Sequence, residues 1–430
     1  MCFESSLTRR ASAAVVNITQ SPGAHCDGRP DIFGAPLKRE RSMKASLAPV
    51  RRPVPVGSGG TRKPLDVAFS GRGSRICGSG TEALAIALLD ARLRGTATVP
   101  EAILPAYACP DLIAACLYAG VRPRLADTAR GSWGYDLEAL QRSLTVNCVA
   151  IVAVNLLGVG DQAVELRNIT SSRGIALIQD SAQHLPRSLP ADWPGDYVVL
   201  SFGRGKPLNL LGGGALLHPR ERSLEIGSLS TLPATGALER PWFRRLTALA
   251  FNVATHPRVY GLARRLMGSS VGGTHYEPLD SLRGASAEKI AWVEHGLGGY
   301  EVDPGYNADV WASACAAWER DGFTTLSCAS STAPDTLRLR LAMLAPDRAT
   351  RDVIVAALAD KGLGATAMYG TTLERIGSVP EEVRTQGSFP HATDLAGRLF
   401  TLPTHSGVDE SVVQRTRSTL AAALLSGQAA

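Results

Sequence analysis

Apolar positions along the chain follow two rhythms. From about residue 75, short unbroken apolar runs alternate with longer Ala/Leu-rich stretches. Residues 102–104, 121–126, 149–154, 176–178, 197–201 and 214–217 read as strands, with 149–154 and 176–178 strongly buried. Residues 80–93, 112–119 and 137–144 read as the helices between them. Strands apolar on both faces, separated by helices, predict a mostly parallel sheet covered on both sides. The expected fold class is therefore α/β, with a three-layer α/β/α large domain.

The rhythm changes in three places. Within 222–275, Pro241-Trp242-Phe243-Arg244-Arg245 leads into 246–253, and 258–267 mixes Val, Tyr, Leu and Arg. These read as two short amphipathic helices, an insertion that either packs on a dimer mate or touches a membrane surface or partner. From about 300 to 430, helices alternate with strands such as 337–341, predicting a smaller C-terminal α/β domain. Residues 1–57 are rich in Arg, Ser, Pro and Gly without periodicity and read as a disordered basic tail, with Met43 as an alternative start. The expected division is a tail over 1–57, a large domain over 58–300 with the insertion at 222–275, and a small domain over 301–430.

Composition narrows the function classes. The 430 residues, 45% hydrophobic and 20% charged, suit a soluble enzyme of two or three packed units. The net charge of +6 points toward nucleic acid only until it is located. Residues 1–63 hold eleven Lys or Arg and four Asp or Glu, a net of +7, so the rest of the chain is near neutral at −1. No nucleic-acid partner is expected. The eight cysteines form no Cys-x-x-Cys pair and no Cys/His cluster of zinc spacing. They read as free thiols in a reducing compartment, and no metal is expected. Neither a signal-peptide core nor an eighteen-residue apolar run is present, so the expected location is the cytoplasm.

Three motifs carry candidate chemistry. Asp180-Ser181-Ala182-Gln183 follows an apolar strand, where ligands sit in open parallel sheets. A carboxylate there either caps a helix or holds a pyridine nitrogen protonated. Ser201-Phe202-Gly203-Arg204-Gly205-Lys206 precedes Leu210-Leu211-Gly212-Gly213-Gly214. A lysine in such a loop, partly desolvated and near Arg204, is biased toward the free amine that forms a Schiff base; alone, it is an ordinary surface lysine. Gly78-Ser79-Gly80-Thr81-Glu82 opens a helix whose first N–H groups suit a phosphate. It has neither Walker spacing nor a full dinucleotide fingerprint.

In this order the motifs resemble those of the DegT/StrS family of sugar aminotransferases. The resemblance includes Pro105-Ala106-Tyr107, Asn155-Leu156-Leu157-Gly158, Gly362-Leu363-Gly364-Ala365-Thr366-Ala367-Met368-Tyr369 and Leu402-Pro403-Thr404-His405. It covers roughly 65–425, most weakly over the insertion.

That resemblance implies a fold-type-I enzyme dependent on pyridoxal 5′-phosphate (PLP), a homodimer with its site at the interface. It implies that Lys206 bonds the cofactor and shuttles the proton. Asp180 would pair with the pyridine nitrogen and Gln183 would sit beside the phenolic oxygen. Ser201 and the backbone at Gly80, Thr81 and Glu82 would cradle the phosphate. Cys109 stands where relatives carry a stacking aromatic ring, with Tyr107 as the nearby aromatic. His184, Arg283 and Tyr369 are candidates for substrate contact, Arg283 as the loop residue offered to a second subunit. The implied reaction moves an amino group, from glutamate as donor, to a keto-sugar nucleotide for polysaccharide or glycoconjugate precursors. A pyridoxamine-phosphate-dependent dehydratase and a catalytically silent regulatory or binding protein are the alternatives; Lys206 weighs against the dehydratase, whose relatives typically carry His there.

Overall fold

In the computed structural model, seven strands form one twisted sheet: β1 (Arg72–Cys77), β2 (Glu101–Pro105), β3 (Arg122–Ala126), β4 (Cys148–Val154), β5 (Ala176–Asp180), β6 (Tyr197–Ser201) and β7 (Gly214–Pro219). The structure describes residues 46–56, 61–159, 162–189, 191–225, 240–267, 274–300, 308–326 and 338–427. The strand order is β1-β7-β6-β5-β4-β2-β3. Strands β3, β2, β4, β5 and β6 run parallel, while β7 is antiparallel to both of its neighbours.

Position in this sheet accounts for the sequence pattern. Strand β4 sits between β5 and β2 with all seven residues buried, so both faces must be apolar. Strand β1 lies at an edge, and its mixed sequence Arg-Gly-Ser-Arg-Ile-Cys gives no clear period. Helix Gly80–Arg94 is apolar nearly all round because it is buried nearly all round. Its start is fixed by Ser79, whose hydroxyl accepts the Glu82 N–H at 3.1 Å. Asp136 caps helix Leu137–Ser143 in the same way, accepting the N–H groups of Glu138 and Ala139.

A second sheet, antiparallel, joins β8 (Thr324–Thr325), β9 (Arg340–Leu344) and β10 (Leu399–Pro403) in the order β10-β9-β8. The strand expected at 337–341 is β9, three residues further on; Leu337 itself lies outside the described residues. This sheet, with helices Ala312–Arg320, Arg348–Asp360 and Glu410–Gly427, surrounds a separate core built on Trp311, Met343, Ile354 and Phe400.

The tail needs correction. Residues 1–45 lie outside the described residues, but 46–56 are packed rather than disordered. Leu47 is buried in the small-sheet core and Val54 in the large-sheet core. The carbonyls of Ala48, Arg52 and Val54 bond His405, Asn209 and Asn252 at 2.9–3.0 Å, and Pro49 O accepts from Arg340. An extended segment anchored by other elements' side chains has no period of its own, which is why its Pro/Arg-rich composition reads as tail.

The insertion does contain two helices, Pro241–Ala254 and Pro257–Met267. Its flanks at 226–239 and 268–273 lie outside the described residues.

Candidate active site

The site forms where the carboxyl ends of β5 and β6 meet the amino end of helix Gly80–Arg94. Asp180 ends β5, pairs in register with Val199 of β6 and is buried. Ser201 ends β6 and lies against Gly80: a Cβ on Gly80 would come within 2.8 Å of Ser201 Cβ. Gly214, which opens β7, is pressed on the same turn; a Cβ there would fall 2.5 Å from the Ser79 carbonyl and 2.6 Å from Gly80 N. Two positions must therefore lack side chains for the helix start, Ser201 and the first residue of β7 to pack this closely. Helix-start N–H groups beside a serine hydroxyl are the groups that bind a phosphate oxygen cluster.

Lys206 stands on a loop closed at its neck. Phe202 N–H bonds Gly213 O at 2.8 Å, and Phe202 O accepts from both Leu210 and Gly212. Gly205, in the left-handed region with φ 74°, turns the chain immediately before the lysine. The ammonium is close enough to Asp180 to oppose the carboxyl's upward pKa shift. Burial drives that shift; the Ala182 N–H, at 3.0 Å, also opposes it, and the Asp111 carboxylate adds to it. The result is a buried acid disposed to hold a proton with a cationic partner.

Around Asp180 the backbone is tightly held. Asn155, itself buried, donates its N–H to Asp180 O at 2.9 Å and its amide to Ser181 Oγ at 2.7 Å. Gln183 accepts the Leu157 N–H at 3.2 Å and donates to Tyr369 Oη at 3.2 Å. Leu157, Leu211 and Met368 all have positive φ, between 55° and 63°. Such backbone costs a non-glycine residue on the order of 1 kcal/mol and is retained where the surroundings over-determine it. Here each adjoins the site: beside Gln183, in the lysine loop and next to Tyr369.

Other expected contacts lie elsewhere. Tyr107 is fully buried, its ring 5.6 Å from that of Tyr369, so it presents no open face to a ligand. Cys109 is half-buried at the bend that follows. His184 packs edge-on to Trp193 within the apolar core, and burial pulls its pKa down to about 4. Glu82 differs most from expectation. Its N–H serves the Ser79 cap, and its buried carboxylate receives Gly78 N–H, Arg283 N–H and the Arg283 guanidinium at 2.7–3.2 Å. The first-turn amides left for a ligand are those of Gly80 and Thr81. Arg283 is thus held, within its own chain, at the mouth of the same turn.

Lys289 was not legible in the sequence. From helix Ala287–Tyr300 its ammonium bonds Gly212 O at 2.7 Å, securing the loop that carries Lys206. It also lies over the Trp292 ring, 5.0 Å from the centroid, with Arg244 of the insertion over the same ring at 4.3 Å. Only the three-residue spacing of Lys289 and Trp292 on one helix hinted at it.

Comparison with known proteins agrees with this geometry. Residues 72–241, from β1 to the start of the insertion, match the model of the DegT/DnrJ/EryC1/StrS aminotransferase family. No curated protein matches the sequence. Among solved structures, NtdA from Bacillus subtilis with bound cofactor PMP is 16% identical, covers 82% of this chain and 73% of its own, and superposes with a TM-score of 0.59. The aminotransferase TlmJ from Streptoalloteichus hindustanus is 18% identical over 82% of this chain and 86% of its own, TM-score 0.57. 3-Amino-5-hydroxybenzoic acid synthase is 18% identical with the same coverages and a TM-score of 0.55. At these identities the likeness establishes the fold, that of PLP-dependent aminotransferases of fold type I.

Proposed function

We propose that the protein is a PLP-dependent aminotransferase that moves the amino group of glutamate to the keto carbon of a keto-sugar nucleotide. The donor leaves as its 2-keto acid, and the amine replaces the sugar's keto oxygen. The single observation that carries this reading is the convergence of Lys206, the buried Asp180 and the Gly80–Ser201 contact at one end of the sheet. The family match over 72–241 supports the reaction class, and NtdA was solved with PMP bound.

The residues present fit the cofactor. The first-turn N–H groups of Gly80 and Thr81, with Ser201 packed against Gly80, would hold a phosphate, and a protonated ring nitrogen would join Lys206 in favouring the ionised form of the buried Asp180. When bound, PLP supplies an aldehyde carbon that carries the amino group and a ring that withdraws electrons. Lys206 Nζ holds the cofactor at rest and moves the proton at the reacting carbons in both halves of the exchange. Asp180 keeps a proton on the ring nitrogen. Ser201 Oγ and the amides of Gly80 and Thr81 bind the phosphate, and Gln183 orients the phenolic edge together with Tyr369. Arg283, fixed by Glu82, faces the donor carboxylate or the second subunit of a homodimer.

The large unit spans 58–300 and the small one 301–430, with 46–56 joining them, and the enzyme works in the cytoplasm on precursors of polysaccharides or glycoconjugates. A test is direct. Purified protein given PLP gains the visible absorbance of lysine-bound cofactor, and Lys206→Ala loses it. With glutamate and a panel of keto-sugar nucleotides, wild type releases 2-oxoglutarate. Wild-type protein that takes up no PLP would overturn the reading.

A further inference from the structure

Helix Pro241–Ala254 is apolar on two sides, and only one of them is used. Inward, Ala248 is fully buried, Phe251 packs on the large-sheet core, and Asn252 bonds both N–H and O of Val54 at 2.8 and 3.0 Å. Arg244 lies over Trp292 on that inward side. Outward, Trp242, Leu246, Leu249 and Val253 fall within one narrow stripe by helical spacing, and each is at least half exposed. Leu262 of the next helix, Pro257–Met267, is also half exposed. Scattered exposed leucines need no explanation, but four large apolar side chains in one row on a docked helix do.

Charge selects the partner. Between 240 and 276 the chain has six arginines, at 240, 244, 245, 258, 264 and 265, and no Asp or Glu. Arg245, next to the row by helical spacing, and Arg258 of the following helix are both exposed. A second copy meeting this face about a two-fold axis would bring the same arginines against each other. An acyl-chain boundary under negative headgroups satisfies both features together: the stripe enters the boundary, Trp242 sits at the interface, and the arginines meet lipid phosphates. No helix among the described residues is long and apolar enough to cross a membrane, so the contact would be peripheral.

We propose that the outer face of this helical pair, residues 242–262, docks the protein on an anionic lipid bilayer. The inference stands apart from the reaction assigned above.

The test is co-sedimentation of the full chain with vesicles. Wild type sediments with mixed phosphatidylcholine and phosphatidylglycerol and at least about tenfold less with phosphatidylcholine alone, given several arginines at the surface. Leu246→Ser with Leu249→Ser weakens binding by about a hundredfold, since two exposed leucines leave the apolar layer. Arg245→Ser with Arg258→Ser weakens it by roughly tenfold or more. Both pairs alter exposed side chains, so the melting temperature stays at the wild-type value. Three results would overturn the proposal: no vesicle binding by wild type, undiminished binding by the Leu246→Ser/Leu249→Ser protein, or a smaller assembly of that variant with vesicle binding intact. The last would mark the face as a contact between copies, and the second would place the lipid contact on another part of the chain.

Discussion

Replacing Glu82 with alanine tests how far one buried carboxylate holds the amino end of the site together. It accepts Gly78 N–H at 3.2 Å, Arg283 N–H at 2.7 Å and the Arg283 guanidinium at 3.0 Å, while its own side chain has no exposed surface. Removing it strands the Arg283 N–H, at about 1–3 kcal/mol when water cannot reach it fully, while Gly78 N–H keeps the Arg283 carbonyl at 3.2 Å. The guanidinium is about half exposed (48%) and finds water, so its loss adds no more than about 1 kcal/mol. The vacated space adds roughly another 1 kcal/mol. A total of about 2–5 kcal/mol corresponds to a fall in melting temperature on the order of 10 °C. Glu82→Gln keeps one acceptor oxygen and recovers roughly half of the loss. Thermal unfolding followed by circular dichroism reads both. If Glu82→Ala melts with wild type, or if the glutamine variant is no better than alanine, the carboxylate is not what secures Arg283 and the Gly78 turn.

Gly214→Ala forces a Cβ to 2.5 Å from the Ser79 carbonyl; cofactor affinity by absorbance titration falls at least about tenfold, in line with about 1–3 kcal/mol of overpacking. Gly299→Ala, with nothing within 4 Å, serves as a control that is neutral or stabilising by up to about 1 kcal/mol. Asp180→Asn retains the lysine-bound absorbance but slows the glutamate half-reaction on the order of a hundredfold in single-turnover kinetics. His184 and His405 are held neutral by burial with pKa values near 4. The unfolded chain therefore binds more protons below pH 6.5, and stability is lost as pH falls from about 6.5 to about 4. His405→Gln flattens that slope in denaturant titrations across the window; an unchanged slope would refute the assignment.

Much of this was legible in the sequence where structure is local. The buried strand Cys148–Val154 and helix Gly80–Arg94 carry their environment in their composition, and the Asp180 and Lys206 motifs end consecutive strands of the sheet. What escaped is long-range. Glu82 and Arg283 pair across 201 positions, and nothing in either local stretch announces the other. Lys289 reaches Gly212 from a helix whose pattern encodes only its packing. Edge strand β1 carries a weak pattern because only part of it is buried. Residues 46–56 have no pattern because their partners supply the order.

Residues 46–56 also constrain how the molecule can move. Leu47 is fixed in one core and Val54 in the other, with Pro49 O held by Arg340 and Ala48 O by His405. Seven peptide units reach at most about 25 Å when fully drawn out, so the strand acts as a tether of limited slack between the two bodies. Drawing the two cores far apart would mean extracting an anchor, whereas a small rotation leaves both seated. The two cores should therefore shift against each other only through a narrow range of motion, and cutting the chain between Pro49 and Val54 should widen it.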